Sequence, residues 1–234
     1  MPKLSPANTS VFILAAGRGE RMMPLTENTP KPLLEVRGKS LIEHHLIKLA
    51  ELGFVDIVIN IAYLGDAIIQ RLGNGQQLGL NIQYSDERIS GALETAGGIH
   101  HALPLIKHEH FVCLNADIWT DFDFSSLLTN LEKLASIVLV KNPKHNLDGD
   151  FKIDIKNHVV LPKTDTSENL KTYTFSGISL YQKALFSSLT PGKQALGPLL
   201  NAWSKDKLVS GTVYDGEWHD IGTPSRLHDL NRGT

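Results

Sequence analysis

The chain has 234 residues, 41% of them apolar and 21% charged, with a formal net charge of −2 at pH 7. That length can bury a substantial core, and the near-neutral charge gives no electrostatic case for binding nucleic acid or a membrane surface. No apolar run approaches the roughly 18 residues of a membrane span. Residues 1–10 are polar with no signal-peptide core, and they read as a flexible extension of a single cytoplasmic domain, 1–234.

Residues 11–14 are an apolar run suited to a buried strand. A turn of small residues follows, with Ala15, Ala16, Gly17 and Gly19. Backbone N–H groups in such a turn can approach phosphate oxygens closely. Arg21 adds a fork of donors suited to phosphate. Lys31 lies between Pro30 and Pro32, which should hold it on a stiff, extended segment. A lone Gly-x-Gly is a weak signal, but turn, arginine and proline-flanked lysine together suggest a triphosphate site. The pattern fits neither a P-loop nor a dinucleotide fingerprint.

Ser40 reads as the N-cap of a helix that runs to Gly53. Residues 55–61 form a buried strand. Asp66 should cap a short helix ending at Gly73, and 80–84 alternates as a strand. A helix over 96–105 opens on Gly97-Gly98. Residues 111–114 form a further strand containing Cys113, the single cysteine, which reads as a buried small hydrophobe. Asn115-Ala116-Asp117 sits at the carboxyl end of that strand. Residues 124–135 are amphipathic, and 137–140 is a strand. Alternating strands and helices argue for an α/β fold: a doubly wound, mostly parallel, Rossmann-like sheet with helices on both faces. The second half then changes character. A hairpin turns at Lys156-Asn157, and a strand over 173–181 is interrupted by Gly177. A helix over 194–204, a strand over 208–214 and a closing helix from Pro224 complete the chain. These should add small antiparallel pieces beside the sheet.

Ligands of open α/β sheets bind beyond the carboxyl ends of the strands. Asp117 lies there, next to the presumed triphosphate loop, where a carboxylate for Mg²⁺ is needed. Asp220, in the turn 216–224, is a second candidate. For both, the plainer reading is a helix cap. Asp121-Phe122-Asp123 matches the Asp-x-Asp of many glycosyltransferases, although Phe122 and Phe124 suit packing better. The pairs His44-His45 and His100-His101 point to different helix faces and make no metal site.

Four stretches, 14–32, 93–99, 114–121 and 216–227, are similar in order and spacing to the sugar-1-phosphate nucleotidyltransferase family. Residues 142–151 and 174–178 resemble most closely its short members acting on N-acetylmuramate 1-phosphate. The resemblance covers almost the whole chain. It implies Mg²⁺-dependent transfer from a nucleoside triphosphate, UTP by the nearest pattern, to a sugar 1-phosphate in peptidoglycan recycling. By it, Arg21 and Lys31 bind the triphosphate on the loop of Ala15, Ala16, Gly17 and Gly19. Asp117 and Asp220 hold Mg²⁺, Asn115 and Asp150 touch the sugar, and Gly177 lies on the sugar side. Glu94, Thr95 and Gly97 lie near nucleotide and sugar. Met23 stands where arginine is frequent, and Ala96 and Ala116 where glycine is. Three rivals remain: a hexose-1-phosphate guanylyl- or thymidylyltransferase, acting for example on mannose 1-phosphate; a glycosyltransferase; and a non-catalytic nucleotide-sugar-binding regulator. The glycosyltransferase leaves Arg21 and Lys31 together unexplained, and the regulator predicts loss of the lysine or a carboxylate.

Overall fold

The computed structural model describes residues 3–129, 133–166 and 169–233. Its first half repeats strand, loop and helix. Strand β1 (Ser10–Leu14) leads to a small hairpin, β2 (Glu35–Val36) and β3 (Lys39–Ser40), and then to α1 (Leu41–Glu51). Strand β4 (Asp56–Ile61) precedes α2 (Gly65–Leu72), β5 (Asn81–Asp86) precedes α3 (Glu94–Ala102), and β6 (His110–Asn115) precedes the short β7 (Ile118–Thr120). The second half contains β8 (Ala135–Val140), β9 (Phe151–Asp154), β10 (Val159–Pro162), β11 (Thr172–Gln182), α4 (Ala184–Ser187) and α5 (Leu196–Lys205). Strands β12 (Val209–Tyr214) and β13 (Trp218–Asp220) and helix α6 (Pro224–Arg232) follow.

Nine strands form one sheet in the order β5-β4-β1-β6-β11-β8-β12-β10-β9. Strands β5, β4, β1 and β6 are parallel throughout. Strand β11 then enters antiparallel to both β6 and β8, and β8 pairs parallel with β12. The 156–157 hairpin forms as expected from β9 and β10. These antiparallel strands do not lie beside the sheet but extend it, so the sheet is mixed. The eleven residues of β11 give it length to pair with β6, β8 and β9. Its register shifts between Phe175 and Ser179, where Gly177 takes a φ of 79° that a β-carbon disfavours.

Side-chain alternation puts helices on both faces. Val11 and Ile13 pack with Ile42, Leu46 and Leu49 of α1, while Phe12 packs on the opposite face with Ile99 of α3 and Leu200 of α5. Ser40 caps α1 as expected, with Glu43 completing a capping box. A third cluster joins Met22, Leu34 and Val36 to Ile221, Leu227 and Leu230. It docks α6 beneath the first loop and so carries the 216–224 turn to that end of the sheet. Among the described residues no helix is long and apolar enough to cross a membrane.

Four local expectations need correction. The 124–135 pattern gives only a 3₁₀ turn, Phe124–Leu128, and Ala135 opens β8 instead; residues 130–132 lie outside the described residues. Phe124 and Leu127 pack into the core from that turn, and pairing with β12 claims Ala135. Residue Asp66 does not cap α2, whose N-cap is Leu64; Asp66 instead meets Arg88 at 2.6 Å. Helix α3 starts earlier, at Glu94 with a φ of 60°. Finally, Lys31–Leu33 is a 3₁₀ turn and not extended; only Pro30 and Leu34, which flank it, are.

Candidate active site

The carboxyl ends of β1, β4 and β6 open into a cavity of about 220 Å³ lined by Ala15, Ala16, Gly17, Lys31, Asn60, Glu87, Asn115 and Asp117, among others. Ala15 and Ala16 are buried, whereas Gly17 faces open space, with nothing within 4 Å of where a β-carbon would stand. That leaves room for a bulky anion against the backbone. Gly19 has a φ of 67°, and a β-carbon there would lie 3.2 Å from Cβ of Lys31. The loop therefore crosses directly over the lysine stem and keeps it 8% exposed. The Lys31 ammonium donates to the Asp117 carboxylate, forming an ion pair at the cavity wall. Asp117 is thus paired and is not a helix cap. The structure brings together Ala15, Ala16, Gly17, Lys31 and Asp117. Arg21 is different: it is exposed on the 3₁₀ turn Glu20–Met22 and does not line this cavity.

Asp220 reaches the same end of the sheet by a route the sequence does not display. Strand β13 pairs with β7, setting Asp220 opposite Ile118, and the Ile221 N–H donates to the Asp117 carbonyl at 3.0 Å. The His45 ring bonds the Ile118 carbonyl at 2.8 Å and pins this pair of strands to α1. Burial holds His45 neutral, pushing it down to about 4. The Asp220 carboxylate itself meets Arg226 at 2.6 Å and His145 at 3.2 Å and lines with them a cavity other than that of Asp117. It does not cap α6, whose N-cap is Thr223. The Asp117 and Asp220 carboxylates are each balanced by a protein cation and line different cavities. No group of three or more metal-ligating side chains occurs among the described residues.

A larger cavity, about 1010 Å³, adjoins the first and shares Leu14, Glu94, Thr95 and Asn115 with it. Asp150 and Gly177 lie on its wall. A β-carbon on Gly177 would come 2.6 Å from Nδ2 of Asn115, so the bulge in β11 makes room for that side chain. Both carboxylate oxygens of Asp150 are engaged, one by the Phe175 N–H at 2.8 Å and one by Asn146 at 3.1 Å. Gly97 faces neither cavity. It packs against Gly192, whose carbonyl would lie 2.2 Å from a β-carbon there. Asp123 caps the 3₁₀ turn and Asp121 accepts from the Tyr214 hydroxyl, while Phe122 and Phe124 are buried, so the Asp-x-Asp stretch serves packing and capping.

Sequence reasoning missed Asn60 and Glu87, which line the small cavity, and His145 and Arg226, which meet Asp220. Asn60 had a usable signal, a polar residue inside an otherwise apolar strand. Arg226, paired with Asp220 across a turn, had none.

A family profile described as nucleotidyl transferase matches residues 10–234. The chain is 45% identical over 224 residues to an N-acetylmuramate alpha-1-phosphate uridylyltransferase from Neisseria meningitidis serogroup B, covering 93% of this chain and 95% of that one. It is 30% identical over 233 residues to a Caulobacter vibrioides protein of the same name, covering 94% and 95%. Among solved structures, HddC from Yersinia pseudotuberculosis, in complex with GMP-PN, shares the fold with a TM-score of 0.76 at 21% identity, over 96% of this chain and 99% of that one. Members of the family generally depend on a divalent metal. With a profile spanning the chain from β1 onward and a relative matched over nearly its full length, this chain belongs to the nucleotidyl transferase family and is a nucleotidyltransferase.

Proposed function

We propose that the chain transfers the uridylyl group of UTP to N-acetylmuramate 1-phosphate, giving the UDP-sugar and pyrophosphate, with Mg²⁺, as a single-domain enzyme of cell-wall recycling. The observation that carries the choice of acceptor is the larger cavity. Its volume admits a sugar with bulky substituents, and Lys163 and Lys205 stand exposed on its wall without an ion pair to any described residue. Lys163 makes only a long contact, 3.5 Å, to the Gly149 carbonyl. N-acetylmuramate carries a lactyl carboxylate that most sugar 1-phosphates lack, and a free lysine on the wall suits it. The 45% identity to the Neisseria protein supports the same acceptor.

In this reading the small cavity holds the triphosphate. The N–H groups of residues 16 and 17 face its oxygens, and Lys31 neutralises charge at the α-phosphate. Arg21, exposed at the next turn, meets the leaving pyrophosphate. A sugar-phosphate oxygen attacks the α-phosphorus in line, and the bond from that phosphorus to the pyrophosphate oxygen breaks. The attacking phosphate is already an anion, so no general base is required. The protein's task is to align two polyanions and balance their charge. Bound Mg²⁺ supplies Lewis acidity and charge neutralisation, and Asp117 and Asp220 are the residues that would hold it. Asn115, Glu94 and Thr95 stand where the two cavities meet and orient the acceptor phosphate.

The test is pyrophosphate release from UTP, GTP, dTTP and ATP, each with N-acetylmuramate, N-acetylglucosamine, mannose and glucose 1-phosphates. UTP with N-acetylmuramate 1-phosphate gives the highest kcat/KM. A preference for GTP with mannose 1-phosphate rejects the proposal in favour of a hexose-1-phosphate enzyme.

A further inference from the structure

The small cavity contains a carboxylate that the reaction just described does not use. Glu87, the residue after β5, is fully buried at 0% exposure. A buried carboxylate is costly unless its oxygens are hydrogen-bonded. Here Oε1 accepts from Nδ2 of Asn60 at 2.7 Å, and Oε2 accepts from the Leu93 N–H at 2.8 Å. Asn60 is itself 2% exposed, and its Oδ1 accepts from the Ala15 N–H at 2.7 Å. One chain of three hydrogen bonds therefore joins residues 15–17, β4 and the loop 88–93 that opens α3.

One end of this chain, Ala15, lines the cavity, and the other, Leu93, lies between Ala92 and Glu94, which line it. Ala15, Ala16 and Gly17 line one side, Glu94 and Thr95 the other, and Asn60 and Glu87 lie between them. Helix α3 is shaped to let the pair pass. A β-carbon on Gly98 would stand 2.7 Å from Oε1 of Glu87 and 3.1 Å from Nδ2 of Asn60. The second glycine of the Gly97-Gly98 pair thus has a physical reason in this contact. The loop being held is otherwise open to solvent: Ile89 is fully exposed, and Ser90, Gly91 and Ala92 are exposed too.

We infer that the Asn60–Glu87 pair positions the nucleotide by fixing the spacing between the phosphate loop and the loop that carries Glu94 and Thr95. It does so without touching the reacting atoms, and it keeps the N–H donors of both loops set before the nucleotide arrives. The inference rests on the reading of this cavity as the nucleotide site.

The donor and acceptor pattern supplies a test by exchange. Glu87→Gln puts an amide N–H₂ against one of two donors, the Leu93 N–H or Nδ2 of Asn60. Asn60→Asp puts a second carboxylate against Glu87. Either change alone breaks the chain. Together they rebuild it with one bond reversed: the new carboxylate at 60 accepts from Ala15 and from the new amide at 87, whose oxygen accepts from Leu93. KM for nucleotide, KM for acceptor and the urea midpoint are measured with the substrates that the wild type turns over best. Each single variant raises the nucleotide KM about tenfold, the scale of one mismatched buried hydrogen bond, with the acceptor KM unchanged within about twofold. The double variant returns the nucleotide KM to within about threefold of wild type. A double variant as impaired as the worse single one overturns the inference, as do single variants that lose stability while keeping the wild-type nucleotide KM. Where a single variant does not fold, the double decides alone: folded with a near-normal nucleotide KM it supports the pair, and unfolded or impaired equally toward both substrates it refutes it. A wild type that turns over no nucleotide removes the reading of the cavity, and the inference with it. An active wild type with unaffected single variants removes the inference only.

Discussion

The two adjoining cavities are built differently. The small one sits at the ends of parallel strands, and its chemistry-bearing side chains are committed: Lys31 to Asp117, Asn60 and Glu87 to backbone donors and to each other. The large one is walled by β9, β10, β11 and α5, where strands run antiparallel and two lysines form no ion pair with any described residue. The difference teaches where each part of the task can reside. A constrained, charge-balanced cleft suits the phosphate steps that any acceptor needs. A wide cavity with uncommitted cations suits the choice among acceptors. Changes in the first should damage turnover with every sugar, and changes in the second should damage it selectively.

The sharpest way to break this division is Lys31→Met. It removes a buried cation facing developing charge and should lower kcat by about 10²–10³-fold, equally for all acceptors, in a protein that still folds. Single-turnover and steady-state rates with two acceptors check it, and near-normal turnover would reduce the Pro-Lys-Pro segment to a turn. Asp117→Asn and Asp220→Asn come next. Each should raise the Mg²⁺ needed for half-maximal rate and cut the maximum by about 10²-fold, and the double should cost little more than either single, because groups acting on one ion are non-additive. Mg²⁺ titration of the three variants tests this, and rate losses that simply multiply would mean the carboxylates act apart.

The paired carboxylates also mark the limit of what the sequence displays. The β1 strand, the Ser40 cap, the 156–157 hairpin and the break at Gly177 were legible, because each rests on local chemistry: apolar runs, capping and turn geometry. That Asp117 and Asp220 act together was expected from resemblance alone; the structure brings the backbone at 117 and 221 together, while the two carboxylates line different cavities. This backbone approach is not local. It depends on β7 and β13, three residues each, too short for any periodicity and far apart in the chain. Amphipathic spacing misled over 124–135, where Phe124 reaches the core from a single 3₁₀ turn. Asn60 and Glu87 gain their meaning only from three loops brought together, which no single stretch of sequence contains.

A smaller effect should follow from the acceptor side. Lys205→Met should raise KM for N-acetylmuramate 1-phosphate about fivefold, the upper range for an exposed ion pair, and leave N-acetylglucosamine 1-phosphate unaffected. Product formation with each acceptor at fixed UTP measures it. His45 should touch neither rate at neutral pH but should shape stability in acid. Its folded value is depressed from 6.5 to about 4 by burial, and His44 and Lys48 push in the same direction. The unfolded state therefore binds the extra proton first, so this contribution is intact above pH 6.5 and lost as pH falls toward 4. At about 1.36 kcal/mol per unit the loss is about 3 kcal/mol. His45→Gln keeps a donor for the Ile118 carbonyl and should flatten the urea-stability profile across that window. A profile as steep as wild type would assign the acid sensitivity to other groups.

The most direct test of the division between the two cavities is one ratio: kcat/KM for N-acetylmuramate 1-phosphate over that for N-acetylglucosamine 1-phosphate, with UTP, in wild type, Lys31→Met and Lys205→Met. Lys31→Met should keep the wild-type ratio while both rates collapse, and Lys205→Met should lower the ratio about fivefold with the second rate intact. A ratio that shifts in Lys31→Met, or stays fixed in Lys205→Met, would contradict it.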